Sequence, residues 1–249
     1  MINQIFNEDC LEWMKRIPDG SIDCIITDPP YWTTACRWDH VIPFEPMWAE
    51  LKRIIKPNGA IVLFGSEPFS SALRMSNIKM YKYDWIWDKV TWGGGYLNAN
   101  KMPLRGFENI AIFYKKLPTY NPQKEYWEPF IDKRNLWWDR ILKEVFWSIP
   151  KPTLQINNWT RHPRGIIKIS GRNNKPLHPT QKPVALIEYL IKTYTNEWET
   201  VLDFTIGSWT TAIACINTNR NYIGFELDKW YFDIANERIK NHLNTYWKY

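Results

Sequence analysis

Short apolar runs in this chain alternate with stretches whose apolar residues recur at helical spacing, and that rhythm constrains the fold more than any other feature. Ile22–Ile26 reads as a buried strand, Pro43–Ile55 as a helix stopped by Pro57-Asn58-Gly59, and Ala60–Phe64 as the next strand. A helix is expected near Pro68–Ser76, with further strands at Tyr83–Trp87 and Ile110–Tyr114. The last third resumes the pattern. Pro183–Tyr194 reads as a helix with proline in its first turn, Thr200–Asp203 as a strand, and Thr210–Asn217 as the opening of a helix. Tyr222–Glu226 is the next strand and Lys229–His242 a C-terminal helix. This alternation predicts an α/β fold, a mostly parallel sheet covered by helices on both faces, with ligands at the carboxyl ends of its strands.

Between these parts lies a segment of different character. Residues 101–183 hold half of the chain's 32 Lys/Arg but only 6 of its 26 Asp/Glu, so the net charge of +6 comes from the middle third. From about Pro118 to Pro179 the chain is rich in Pro, Asn and aromatics, with weak periodicity. Tyr120, Tyr126, Trp127, Trp137, Trp138 and Trp159 lie among Lys115, Lys116, Lys133, Arg134, Arg140, Arg161 and Arg164. Cations that meet phosphates, interleaved with rings that stack on bases, point to a nucleic-acid partner.

Hydrophobic residues at 45% and charged residues at 23% exclude disordered and fibrous classes. No apolar run reaches the roughly 18 residues of a membrane span, and MINQIFNEDC lacks the parts of a signal peptide, so a cytoplasmic protein is expected. Cys10, Cys24, Cys36 and Cys215 show no C-x-x-C pair and His40, His162, His178 and His242 no H-E-x-x-H spacing. Free thiols and no metal site are expected.

Three acids stand at predicted strand ends: Asp28 in TDPPY, Asp203 in TVLD and Glu226 in YIGFE. A strand, a turn containing Gly207, a helix and a second strand ending in an acid make a unit that can hold a ribose by its hydroxyls. Asp28-Pro29-Pro30-Tyr31 is the sharper motif. Two prolines stiffen the turn, so the Asp28 carboxylate and the Pro29 carbonyl become fixed acceptors beside the Tyr31 ring. Two acceptors and a ring can clamp an exocyclic amino group on a planar base.

In order, NEDC, IPDGSIDCIITDPPY, the basic middle, HPTQKPVALIEYLI, TVLDFTIGS and YIGFELD resemble the β-type amino-directed DNA methyltransferases, which use S-adenosylmethionine. The resemblance implies a Rossmann-like methyltransferase fold in circularly permuted order, with the catalytic half first. It implies a catalytic half at 1–117, a basic target-recognition insertion at 118–177 and a cofactor-binding half at 178–249. Asp28, Pro29, Pro30 and Tyr31 would form the catalytic corner. Asp9 and Cys10 would lie near the cofactor's adenine, and Thr180 and Lys182 would hold its methionine end. Asp203, Phe204, Gly207, Ser208 and Thr210 would form the first cofactor motif, with Asp28 bordering the donor and Glu226 binding the ribose. Lys115, Lys116, Lys133, Arg134, Arg161 and Arg164 would contact double-stranded DNA. DPPY favours adenine N6, with cytosine N4 as the alternative. Monomer or homodimer stays open.

The chain departs from the family pattern in its 16 tryptophans. Trp209 follows Gly207-Ser208 where the family's turn is similar to F-x-G-S-G-T-T, Trp32 follows Tyr31, and Trp198 sits in TNEWET. An indole in the cofactor turn would either fill the pocket or point away from it. A catalytically impaired DNA-binding homologue is therefore a second alternative.

Overall fold

The structure is a computed structural model that describes residues 2–32, 40–90, 93–126, 160–171, 181–207 and 209–246. The chain divides into one unit of Met1–Asn121 with Gly165–Tyr249 and another of Pro122–Arg164.

The first unit is built on an eight-stranded sheet. Its strands are β1 (Gln4–Phe6), β2 (Ile22–Thr27), β3 (Ile55–Gly65), β4 (Tyr81–Asp88), β5 (Phe107–Phe113), β8 (Ile166–Lys168), β9 (Thr200–Asp203) and β10 (Asn221–Phe225). They lie in the order β1-β10-β9-β2-β3-β5-β4-β8. All neighbours are parallel except β5, which runs antiparallel to both β3 and β4. The helices are α1 (Cys10–Met14), α2 (Phe44–Ile54), α3 (Phe69–Ser76), α4 (Val184–Tyr194), α5 (Thr210–Asn217) and α6 (Lys229–Tyr246).

Alternation along the strands divides the core between the two faces. Cys24 and Ile26 of β2, with Ala60, Val62 and Phe64 of β3, pack with residues of α4, α5 and α6. Ile25, Ile61 and Leu63 face the other way and pack with Trp13, Trp48, Leu51 and Leu73 from α1, α2 and α3. Strands buried on both faces are near-continuous apolar runs, and for that reason they are readable in the sequence. Cys24 and Cys215 are wholly buried free thiols in the first of these clusters.

Several expected boundaries shift. The helix ends at Ile54, and Pro57-Asn58-Gly59 lies within β3. The register jumps there from Ile22↔Ile55 to Cys24↔Ala60. Gly59 suits the bulge because a Cβ on it would meet the Asp23 carbonyl at 2.7 Å. Pro183 caps α4 from outside the helix. The C-terminal helix continues to Tyr246.

The middle segment expected over 118–177 is not all separate. Asn121 donates its backbone N–H to the Thr193 carbonyl at 2.7 Å, and Gly165–Lys168 rejoins the sheet through β8 alongside β4. The second unit spans Pro122–Arg164, and its described part is a two-residue pairing of β6 (Glu125–Tyr126) with β7 (Thr160–Arg161). Among the described residues, no helix is long and apolar enough to cross a membrane.

Candidate active site

β2 and β9 are neighbours in the sheet, yet the chain leaves them in opposite directions. After β2 it crosses through α2 to β3 on one side, and after β9 through α5 to β10 on the other. The carboxyl ends of such a pair border the crevice of an open α/β sheet. Asp28 follows β2, Asp203 ends β9 and Glu226 follows β10.

A cavity of about 370 Å³ opens there. It gathers Asp9, Cys10, Asp28, Pro29, Pro30, Tyr31, Lys182, Asp203, Phe204, Gly207, Thr210 and Glu226, residues drawn from both ends of the chain. Thr180 and Ser208 lie outside the described residues, as do Lys133 and Arg134.

The first proline corner is held from several sides. Tyr31 Oη donates to Asp28 Oδ1, and its ring packs against Phe69 of α3 at 4.9 Å. Thr205 Oγ1 donates to the Asp28 carbonyl at 3.1 Å. Lys182 Nζ donates to Asp28 Oδ2 at 2.5 Å and lies 3.2 Å from Glu108 Oε2. Lys89 Nζ in turn pairs with Glu108 Oε1 at 2.6 Å. Burial pushes the Asp28 carboxyl up; Lys182 opposes that rise and the charge of Glu108 adds to it. Burial alone would lower the Lys182 ammonium, but the Asp28 and Glu108 carboxylates push it up to about 12. Burial would likewise raise Glu108, yet Lys182 and Lys89 hold it below the ordinary range.

The turn after β9 is braced by its own acid. Asp203 Oδ1 accepts from Thr27 Oγ1 at 3.0 Å and from the Thr205 N–H at 3.2 Å, while Oδ2 accepts from Thr211 Oγ1 at 2.5 Å. Thr27 Oγ1 also accepts from the Phe204 N–H at 3.0 Å, which ties β2 to the turn. Burial pushes the Asp203 carboxyl up to about 7 against the pull of these donors. Much of its acceptor capacity is committed to shaping the turn.

Glu226 Oε2 accepts from the Gly207 N–H at 2.9 Å and Oε1 from the Asp228 N–H at 2.8 Å. A carboxylate offers about four acceptor sites, so capacity remains for a hydroxyl pair in the cavity. Burial raises this acid too. Asp9 Oδ1 caps α1 by accepting from Leu11 N at 2.8 Å and Glu12 N at 3.3 Å. Burial, reinforced by the charge of Asp9, pushes the Cys10 thiol up to about 12.

Neither Trp209 nor Trp32 lines the cavity. Trp209 takes φ 68 at the N-cap of α5, yet its indole is wholly buried in the core and meets Phe232 of α6 edge-on at 6.1 Å. It is not among the residues lining the cavity. Trp32 projects outward, 75% exposed at φ 57.

The expected DNA contacts fall in both units. Lys115 and Lys116 are exposed just after β5, whose antiparallel course carries them toward the amino ends of the parallel strands, opposite Asp28. Arg161 lies in β7 and Arg164 ends the second unit. Sequence reasoning missed Thr27, Phe64, Glu108, Thr205 and Thr211. Glu108 had a faint signal, an acid at the edge of an apolar strand. Among the described residues no cluster of three or more His, Cys, Asp or Glu could hold a metal ion.

A mixed sheet with acids at the carboxyl ends of two adjacent strands, opening on one cleft, is the architecture of the Rossmann-like α/β methyltransferases. The profile of the N6/N4 DNA methylases matches residues 22–237, and the chain belongs to that family. It is 28% identical over 270 residues to the type II methyltransferase M.HpaI of Haemophilus parainfluenzae, covering 99% of this chain and 77% of that protein. Identity to M1.MboII of Moraxella bovis is also 28%, over 94% of this chain and 95% of that one. The crystal structure of an M1.HpyAVI–SAM complex matches with a TM-score of 0.61 and 27% identity, over 94% of this chain and 98% of that one. The cytosine-N4-specific PvuII DNA methyltransferase shares the fold, with a TM-score of 0.64 at 16% identity over 97% of this chain and 91% of that one.

Proposed function

We propose that this DNA methyltransferase transfers a methyl group from S-adenosylmethionine to the N6 amino group of adenine in double-stranded DNA. The observation that carries the reading is the rigid Asp28-Pro29-Pro30-Tyr31 corner, opening into the same cavity as the Glu226 carboxylate. Glu226 would hold the ribose hydroxyls, the turn from Phe204 to Gly207 would border the adenosine, and Asp9 and Cys10 would lie nearby. S-adenosylmethionine, when bound, supplies an electrophilic methyl group on a sulfonium.

The amino group of a base cannot reach Asp28 from within the duplex, so the base must be extruded. Tyr31 would release Asp28 Oδ1 and stack on it. Asp28 and the Pro29 carbonyl would accept the two amino hydrogens and turn the nitrogen lone pair toward the cavity. Positioning is the larger part of such catalysis. The Asp28 carboxylate would stabilise positive charge developing on nitrogen and take up the departing proton. No covalent enzyme–base adduct is required, which agrees with the burial of Cys24 and Cys215.

The test is methylation of DNA with labelled donor, followed by digestion to nucleosides. N6-methyl-2′-deoxyadenosine is expected, and N4-methyl-2′-deoxycytidine would move the target to the other amino base of the family. Asp28→Ala should abolish transfer while donor binding persists; a fully active variant would remove the mechanism.

A further inference from the structure

We propose that Glu108 is a positioning residue for methyl transfer: it seats the Lys182 ammonium against Asp28 and offsets its charge where the substrate nitrogen turns positive. The proposal rests on the reading of Asp28 as the amino-group acceptor. Lys182 is buried 2.5 Å from Asp28 Oδ2. An uncompensated cation there would oppose positive charge forming on the amino nitrogen. Glu108 Oε2 stands 3.2 Å from the same ammonium, so Asp28, Lys182 and Glu108 carry one net negative charge, which Lys89 at Glu108 Oε1 masks in part. Glu108 reaches this edge because β5 runs antiparallel, which brings its first residues beside the carboxyl ends of β3 and β4. Lys89, following β4, holds Glu108 Oε1 at 2.6 Å and lies 5.2 Å over the Trp87 ring.

The titratable groups facing Asp28 are Lys182 before α4, Glu108 on β5, Tyr31 in its own turn and Asp203 at the end of β9. Lys89 and Lys182 face Glu108. Glu8, Asp9, Cys10, His40, Glu226 and Tyr231 line the rest of the cavity. Removing the Glu108 carboxylate takes a repelling charge from Asp28, and removing Lys89 takes away a cation that partly masks it.

The experiment compares pH profiles of methyl transfer for wild type, E108Q, E108D and K89M, with Asp28→Ala in parallel. E108Q should lower kcat about tenfold with little change in KM for the donor. Its acid limb should move to lower pH, that of K89M should move to higher pH, and E108D should recover part of the rate. Limbs that stay in place or move together, or a kcat for E108Q within about twofold of wild type, would overturn the proposal. If E108Q does not fold, the direction of the K89M shift decides. Those failures in a wild type that methylates DNA, with Asp28→Ala inert, leave the role of Asp28 intact; a wild type that transfers nothing removes both.

A different observation carries a second inference. Six described non-glycine residues have positive φ, and three of them are tryptophans: Trp32 at 57, Trp198 at 68 and Trp209 at 68. A bulky side chain in the left-handed region is an outlier, and glycine is the ordinary occupant. Trp209 also leaves its indole N–H buried without a partner. The chain has 16 tryptophans and 11 glycines, where glycine is ordinarily about 7% of residues. We infer that these three backbones are built for glycine, and that the cell making this protein reads their codon as glycine, tryptophan being its meaning under another genetic code.

Tandem mass spectrometry of protein purified from its own cells tests this on peptides spanning the three positions. Glycine at all three is expected, and tryptophan at any of them overturns the inference. For the recombinant tryptophan-bearing chain, W32G/W198G should melt about 2 °C higher or more. A lower melting temperature would refute the backbone argument.

Discussion

Asp203→Asn is nearly isosteric, so it removes a titrating group from the braced turn while keeping its shape. The Asp203 carboxyl has its usual 3.8 in an unfolded chain and about 7 in the fold, raised chiefly by burial. Because the folded value is the higher one, the native state binds the proton more tightly. The resulting stabilisation is complete below about pH 4 and is lost as pH rises through 7. At about 1.36 kcal/mol per pKa unit the whole effect is roughly 4 kcal/mol, of which about 3 kcal/mol falls between pH 5 and pH 8. Urea unfolding of wild type and D203N, without methyl donor, measures it. The stability of wild type relative to D203N should fall by that amount from pH 5 to pH 8 and stay level above it. Acids elsewhere cancel in the difference. A gap that is flat across this range would show that Asp203 is not proton-linked to folding and would refute the burial argument.

Three further outcomes are expected. Glu226→Gln keeps acceptors for Gly207 and Asp228 only in part and loses the charge that would face a hydroxyl pair, so donor affinity by calorimetry should weaken at least about tenfold with little change in melting temperature. Asp9→Ala removes the α1 cap, which accepts from two backbone N–H groups, and should cost about 1 kcal/mol in denaturant unfolding. Cys10, with its thiol pushed up to about 12, should resist iodoacetamide at pH 8 in the folded protein and react once urea unfolds it.

Much of the site was legible because its acids sit where apolar strands end. Asp28, Asp203 and Glu226 were readable for that reason, and the sheet places all three on one cavity. Glu108 was legible only faintly, and Lys89 not at all. Nothing in FENIAIF says that β5 reverses direction, and only the reversal brings Glu108 to the active edge. β1 has three residues and β8 has three, too few for any period to register. The role of Asp203 was half legible: its position followed from the motif, but its hydrogen bonds to Thr27 and Thr211 required the fold. The fate of the Trp209 indole was not readable at all, because one backbone angle decides whether it points to cofactor or core.

The two strands that border the cleft are made at very different times. Asp28 leaves the ribosome early, but its partner Lys182 follows 154 positions later, and Thr27 must wait for Asp203 until β9 emerges. A nascent chain therefore carries the Asp28 corner for most of its synthesis without the groups that hold it in place. That corner is complete only once β9 and the segment before α4 have joined the sheet.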